Sequence, residues 1–342
     1  MQARAFITGV SGPELNDAER AFIREQRPWG FILFKRNIET RSQVSNLISE
    51  LRDGVENPEA PVLIDQEGGR VQRLGPPHWP VYPAGAIFGV LYDIDPALGL
   101  SAARLSARLI AADLIDCGIS VDCLPLADVP VAGADGVIGD RAYGTEPNKV
   151  EAIARAVTEG LQQGGILPVL KHIPGHGRAT ADTHFRLPEV DTPRAELEQT
   201  DFAAFRALAD LPMAMTAHVV FSALDPAHPA TTSATIIEQV IRGLIGFQGL
   251  LMSDDVSMNA LSGSIAERTR AVFGAGCDVV LHCNGRMDEM ADVARHTPEL
   301  SGNALERAEQ ALASRMAPQP FDRQKARAEL DALIERAGTA GA

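Results

Sequence analysis

The chain has 342 residues, 45% of them hydrophobic and only 5% aromatic, with 30 glycines. That length and composition suit one large α/β unit with many tight turns better than a β-sandwich or a disordered chain. With 45 acidic against 31 basic residues the formal charge is −14 and no basic run appears, which argues against nucleic acid or an anionic membrane surface as a partner.

The N-terminal MQARAFITGV enters strand-like residues directly, so no signal peptide is expected. No segment reaches the roughly 18 uncharged apolar residues of a membrane span. Cys117, Cys123, Cys277 and Cys283 form no CxxC pair and sit in apolar contexts, where buried free thiols and a cytoplasmic location are expected.

In chain order, eight short apolar runs recur: ARAFITGV (3–10), WGFILFK (29–35), PVLIDQE (61–67), ISVDCLPL (119–126), ILPVLKH (166–172), PMAMTAHVV (212–220), GLLMSDD (249–255) and CDVVLHC (277–283). Between them lie segments of helical periodicity, among them 17–26, 41–54, 101–118, 149–165 and 264–276, several ending at glycine as helix C-termini prefer. Strands alternating with helices in this way read as a single (β/α)8 TIM-type barrel over 1–300. The segment 301–342 reads as extra C-terminal helices packed on the barrel and ending in a frayed tail. A doubly wound sheet is the alternative, because a strand count does not prove closure.

A barrel places its chemistry at the C-terminal ends of its strands. The polar residues gather there: Asp65, Gln66 and Glu67 end the third run, Asp128 follows the fourth, Lys171 and His172 end the fifth, His218 lies near the end of the sixth, Asp254 and Asp255 end the seventh, and His282 lies near the end of the eighth.

DQEGGRVQR (65–73) turns through two glycines and offers Arg70 and Arg73, a pairing of carboxylate acceptor and guanidinium fork that suits sugar hydroxyls but equally suits an internal ion pair. IGDRAYG (138–144) brings Arg141 into a glycine-flanked loop. In KHIPGHGRATADTH (171–184), Pro174 and Gly175 interrupt His172-x3-His176, so a helix-borne zinc pair is not expected, and Lys171 would set a cation beside the metal. Neither GxxxxGK[ST] nor GxGxxG is present there to cradle phosphate. Asp182 two residues before His184 suits a carboxylate that fixes one imidazole tautomer, leaving the other nitrogen as general acid/base; a turn-stabilising bond is the plainer reading of that pair alone. In MSDDVSM (252–258) the adjacent carboxylates point different ways, one toward the barrel mouth as candidate nucleophile and one as a cap.

Together KHIPGHGRATADTH, DQEGGRVQR, IGDRAYG, MTAHVVF and MSDDVSM resemble, in order and spacing, glycoside hydrolase family 3, and most of all its bacterial cytoplasmic β-N-acetylglucosaminidases of peptidoglycan recycling. The resemblance implies a (β/α)8 barrel and a retaining exo-β-N-acetylglucosaminidase that removes terminal N-acetylglucosamine from muropeptide fragments. It implies Asp254 as nucleophile, His184 as general acid/base assisted by Asp182, and Asp65, Arg73, Arg141, Lys171 and His172 as the subsite for the terminal sugar. His176 and Gly177 fall to the loop instead of the chemistry. The chain departs from the common pattern at Asp122-Cys123-Leu124-Pro125, where relatives carry Asn-Phe-Ala-Pro, and at Thr183, where Ser is commoner. No cofactor and no metal are implied, the partner is a small carbohydrate, and a monomer is expected. A glycoside phosphorylase or β-glucosidase on the same scaffold is the alternative. A metal-dependent barrel hydrolase using His172, His176 and His184 is the reading from a different class, and a non-catalytic sugar-binding barrel stands third.

Overall fold

The computed structural model describes residues 3–179 and 187–340. Eight parallel strands close into a barrel: β1 (Arg4–Thr8), β2 (Pro28–Leu33), β3 (Val62–Ile64), β4 (Val121–Asp122), β5 (Leu167–Ile173), β6 (Met213–Thr216), β7 (Leu250–Asp255) and β8 (Val279–His282). Each lies within one of the eight apolar runs, except that β2 and β5 extend one residue beyond theirs. Closure runs through Phe6↔Val280, Ile7↔Leu281 and Thr8↔His282, which disposes of the open doubly wound sheet.

The helices form where capping and period demand. Asn16 accepts from the Glu19 N–H and Glu19 returns the bond, boxing the start of α1 (Asp17–Gln26). Asp95 caps α4 (Pro96–Cys117), which opens on proline and ends at Gly118 in the left-handed region. Ser264 and Glu267 box the start of α8 (Ile265–Ala275). The helix α2 (Arg41–Gly54) buries Val44, Leu47, Ile48 and Leu51 at helical spacing.

Two apolar layers hold these elements. The barrel interior stacks residues such as Ile7, Leu63, Val121, Val169, Met213 and Met252, while a second core fills the space between strands and helices. Each fully buried aliphatic side chain contributes about 1.5–3 kcal/mol. Leu300, Ala308 and Ala311 join the interior cluster, so α10 (Gly302–Ala313) floors the barrel. A buried knot secures that floor: Asp278 accepts from Arg242 and Arg307, both at 2.8 Å, and from the Leu251 N–H at 2.9 Å. The last helix, α11 (Arg323–Ala340), lies against α4 and α3 (Gly85–Ile94).

Three details position the mouth of the barrel. Register shifts interrupt β5 between Lys171 and Ile173, and β7 between Met252 and Asp255. Such irregularities let consecutive residues face one side, and both Lys171–His172 and Asp254–Asp255 line the same cavity. After β3, Gly68 with φ +94° turns the chain into a hairpin pairing Gln66–Gly68 with Val71–Gln72. On α3, a Cβ on Gly85 would stand 2.2 Å from the Arg141 carbonyl oxygen and one on Gly89 would stand 2.0 Å from that of Tyr143, so the loop carrying Arg141 rests directly on the helix backbone.

Candidate active site

At the end of β3 the buried Gln66 organises its own hairpin. Its Oε1 accepts from the Arg73 and Leu74 N–H groups at 3.0 and 2.9 Å, and its Nε2 donates to the Leu74 carbonyl at 2.9 Å. Arg73 is thereby returned over Asp65, donating to Oδ2 at 2.9 Å, while the Lys171 ammonium reaches Oδ1 at 3.0 Å. The same ammonium lies 2.6 Å from Glu67, which also takes a two-pronged bond from Arg141, each prong 2.8 Å. Asp65 and Glu67 thus face Lys171, Arg73 and Arg141, two negative charges against three positive.

Burial alone would raise both carboxyls; Lys171 and Arg73 hold Asp65 far below the usual carboxylate range, and Lys171 and Arg141 hold Glu67 at about 2. Burial would lower the two cations, and Asp65 and Glu67 raise Lys171 while Glu67 raises Arg141. Beneath them Asp122 takes one bond, from the Gln66 N–H at 3.0 Å, and its Oδ2 has no partner among the described residues. Burial lifts this carboxyl well above its ordinary range.

Asp128, fully buried after β4, accepts from His172 Nδ1 at 2.7 Å and from the His176 backbone N–H at 2.7 Å. One carboxylate therefore orients the β5 histidine and clamps the start of the following loop. Burial works against ionisation of Asp128, but His172 outweighs it and the carboxyl falls below its usual value. His176 lies in the loop after β5, as expected, and that loop folds inward: His176 is 3% exposed, lines the cavity, and its ring centroid is 5.6 Å from that of His172. Burial, with His172 beside it, drops its pKa to about 4, and Nδ1 has no partner among the described residues.

At the end of β7 the two aspartates divide. Asp255 accepts from the Ser257 N–H at 2.9 Å, the Ser257 hydroxyl at 2.6 Å and the Cys283 N–H at 3.1 Å, closing a turn between β7 and β8. Among the described residues Asp254 accepts a single bond, from the Asp255 N–H at 2.8 Å. Burial would raise its carboxyl, but His218 and His172 turn the balance, and it lies below its ordinary value, ionised.

Asp65, Arg73, Arg141, Lys171, His172 and Asp254 come together on one cavity. Phe34, Met215 and Leu281 give it an apolar wall. Asp182 and His184 lie outside the described residues. Glu67 and Asp128 are functional candidates to which the sequence assigned no role, and His176 is one that it gave to the loop or, in the alternative reading, to a metal. A signal was present for the first two, since each is a carboxylate at a strand end beside cations that need a counter-charge.

The sequence profile of the glycosyl hydrolase family 3 N-terminal domain matches residues 4–314. A β-hexosaminidase of Alkalilimnicola ehrlichii is 38% identical over 297 residues, 86% of this chain and 84% of that one. The β-hexosaminidase of Chromobacterium violaceum is 35% identical over 307 residues, 89% and 85% of the two chains. Among solved structures, NagZ from Neisseria gonorrhoeae in complex with N-trifluoroacetyl-D-glucosamine superposes with a TM-score of 0.88 at 31% identity, covering 98% of this chain and 99% of that one.

Proposed function

Since the chain belongs to glycosyl hydrolase family 3, we propose that it is a retaining exo-β-N-acetylglucosaminidase acting on N-acetylglucosamine-terminated muropeptide fragments. The observation that carries this reading is Asp254: ionised, held by one backbone N–H, and open to a cavity whose other side presents paired carboxylates and cations. Asp65, with Arg73 and Lys171 fixed on its two oxygens, supplies an acceptor flanked by donors, the pattern a vicinal diol requires. Arg141 and His172 complete the grip, each locked by a buried carboxylate so that little ordering remains to be done on binding.

In the first step an Asp254 carboxylate oxygen attacks the anomeric carbon while His184, as imidazolium, gives its proton to the departing glycosidic oxygen. The sugar is then esterified to Asp254 and the aglycone leaves as an alcohol. In the second step neutral His184 takes a proton from water, whose oxygen displaces Asp254 from the anomeric carbon; two inversions give retention. Asp182 serves to orient His184 and to stabilise its cation. The barrel, 1–300, is the catalytic unit in this reading and 301–342 supports it. The protein acts in the cytoplasm, as a monomer, without a cofactor.

Asp254→Ala is expected to abolish turnover of aryl β-N-acetylglucosaminides. His184→Ala is expected to lose most on poor leaving groups and least on good ones. Equal losses on both would remove His184 from the acid role.

A further inference from the structure

Behind Asp254, on the side away from the sugar-binding cluster, lies a hydrogen-bonded group made from two other segments of the chain. Thr216 ends β6, His218 follows two residues later, and Thr231 sits in a 3-10 turn at Ala230–Thr232. All three are 0% exposed. The Thr231 hydroxyl is the hub: Thr216 Oγ1 lies at 2.8 Å, His218 Nδ1 at 2.7 Å and the Ala217 carbonyl at 3.0 Å. Two further bonds reach β7. Thr216 Oγ1 accepts the Asp254 N–H at 3.3 Å, and His218 Nε2 donates to the Asp255 carbonyl at 3.0 Å.

The hub has one proton and three neighbours. A carbonyl only accepts, so Nε2 of His218 must carry a proton to meet Asp255. If Thr231 gives its proton to Ala217 or to Thr216, Nδ1 must donate to Thr231 and His218 is a cation. If Thr231 gives its proton to Nδ1, His218 is neutral and the Ala217 carbonyl forgoes that bond. The two arrangements differ by one positive charge beside Asp254. Among the described residues the other charged or titratable groups around this nucleophile are Asp255 on its own strand, His172 and Lys171 of β5, His176 in the loop that follows, and Cys283 after β8. His172 is tied to Asp128, and Lys171 to Asp65 and Glu67. Of Lys171, His172 and His218, only His218 has no carboxylate among its hydrogen-bond partners in the described residues, so in the arrangement that charges it nothing but Asp254 stands to take up that charge.

From this arrangement we infer that Thr231 and His218 are positioning residues for the Asp254 nucleophile: they fix the main chain on both sides of its Cα and hold an imidazole beside its carboxylate. The inference rests on Asp254 being the nucleophile. It accounts for why an extra turn at 230–232 is brought under the end of β6 and why two threonine hydroxyls and a histidine are buried in an otherwise apolar layer. Loss of the hub would let the Asp254 backbone relax and would remove the acceptor that a cationic His218 needs, so the charge near Asp254 falls and its carboxyl becomes harder to ionise.

The experiment uses the full chain and an activated aryl β-N-acetylglucosaminide, with rapid quench and mass analysis of the peptide holding Asp254. Wild-type enzyme is expected to accumulate a sugar ester on Asp254 with release of the aryl alcohol. Thr231→Val, which keeps the shape and loses the hydroxyl, is expected to form that ester about tenfold more slowly or worse, with the acid limb of kcat/KM moved to higher pH. Thr231→Ser is expected to restore both. His218→Gln, which retains an amide donor near the Nε2 position, is expected to move the acid limb while keeping more of the stability. Ester formation at the wild-type rate with an unmoved acid limb in Thr231→Val and His218→Gln would overturn the inference, even if both melt earlier. A wild-type enzyme that carries its sugar elsewhere than on Asp254 would overturn the nucleophile assignment and this inference with it.

Discussion

Glu67 is buried and faces two cations, which makes Glu67→Gln the sharpest perturbation of the charge cluster it shares with Asp65. The wild-type carboxylate is 6% exposed, 2.6 Å from Lys171 and 2.8 Å from Arg141, so screening by water is slight. Glutamine keeps the shape and one acceptor but leaves Asp65 as the lone carboxylate against three cations. Removing one partner of a buried pair costs about 3–5 kcal/mol, and the retained acceptor argues for the lower end. A chain of 342 residues has an unfolding entropy of about 0.7 kcal/mol/K, so the melting temperature is expected to fall by about 4–6 °C. The pH dependence has a definite sign. Glu67 is depressed from 4.5 to about 2, so its contribution is complete above pH 4.5 and is lost as pH falls toward 2. The gap between variant and wild type should therefore be constant from neutrality down to about pH 4.5 and close below it. Calorimetry across that range, with KM for an aryl β-N-acetylglucosaminide at pH 7, reads both effects. A melting temperature within about 1 °C of wild type together with an unchanged KM would refute the electrostatic reading of the cluster.

Three other outcomes are expected. His176 titrates near 4 in the fold against 6.5 when unfolded, so wild-type stability should be full above pH 6.5 and decline by up to about 3 kcal/mol as pH falls to 4; His176→Asn should flatten that decline in urea titrations, and an equal decline would contradict it. Gly89→Ala forces a Cβ to within 2.0 Å of the Tyr143 carbonyl, so the loop bearing Arg141 must move; KM should rise and stability fall by about 1–3 kcal/mol, and unchanged kinetics would show that Arg141 does not hold the substrate. With a histidine in place of a second carboxylate as the acid/base, the site should tolerate anionic acceptors: products formed in excess phosphate should include a sugar 1-phosphate, and its complete absence would sink that idea.

The barrel was legible because its signal is collective. Eight apolar runs alternating with helical segments leave few topologies, and ridding each strand end of its polar residues would have erased the pattern. Asp65, Lys171, His172 and Asp254 stand out because they cluster at those ends, whereas the roles given to them, and to Arg73 and Arg141, came from the family resemblance. Pairing could not be nominated. Nothing in DQEGGRVQR says that Glu67 turns away from Arg70 to share Lys171 and Arg141, since those partners arrive from strands and loops far along the chain. The burial of His176 is illegible for a related reason: it depends on Asp128, 48 residues earlier, clamping its backbone. Alternation points only one of Asp254 and Asp255 at the barrel mouth, whereas the register shift in β7 lets both line the cavity, and it is the bonds from Ser257 and Cys283 that set Asp255 apart.

The most direct measurement compares initial rates on the 4-nitrophenyl β-glycosides of N-acetylglucosamine and glucose under the same conditions, with Asp254→Ala as the blank. A retaining β-N-acetylglucosaminidase built on Asp254 should release nitrophenol from the first substrate with a kcat/KM at least about 100-fold above the second, and the blank should release none. Comparable rates on the two, or undiminished release by Asp254→Ala, would contradict it.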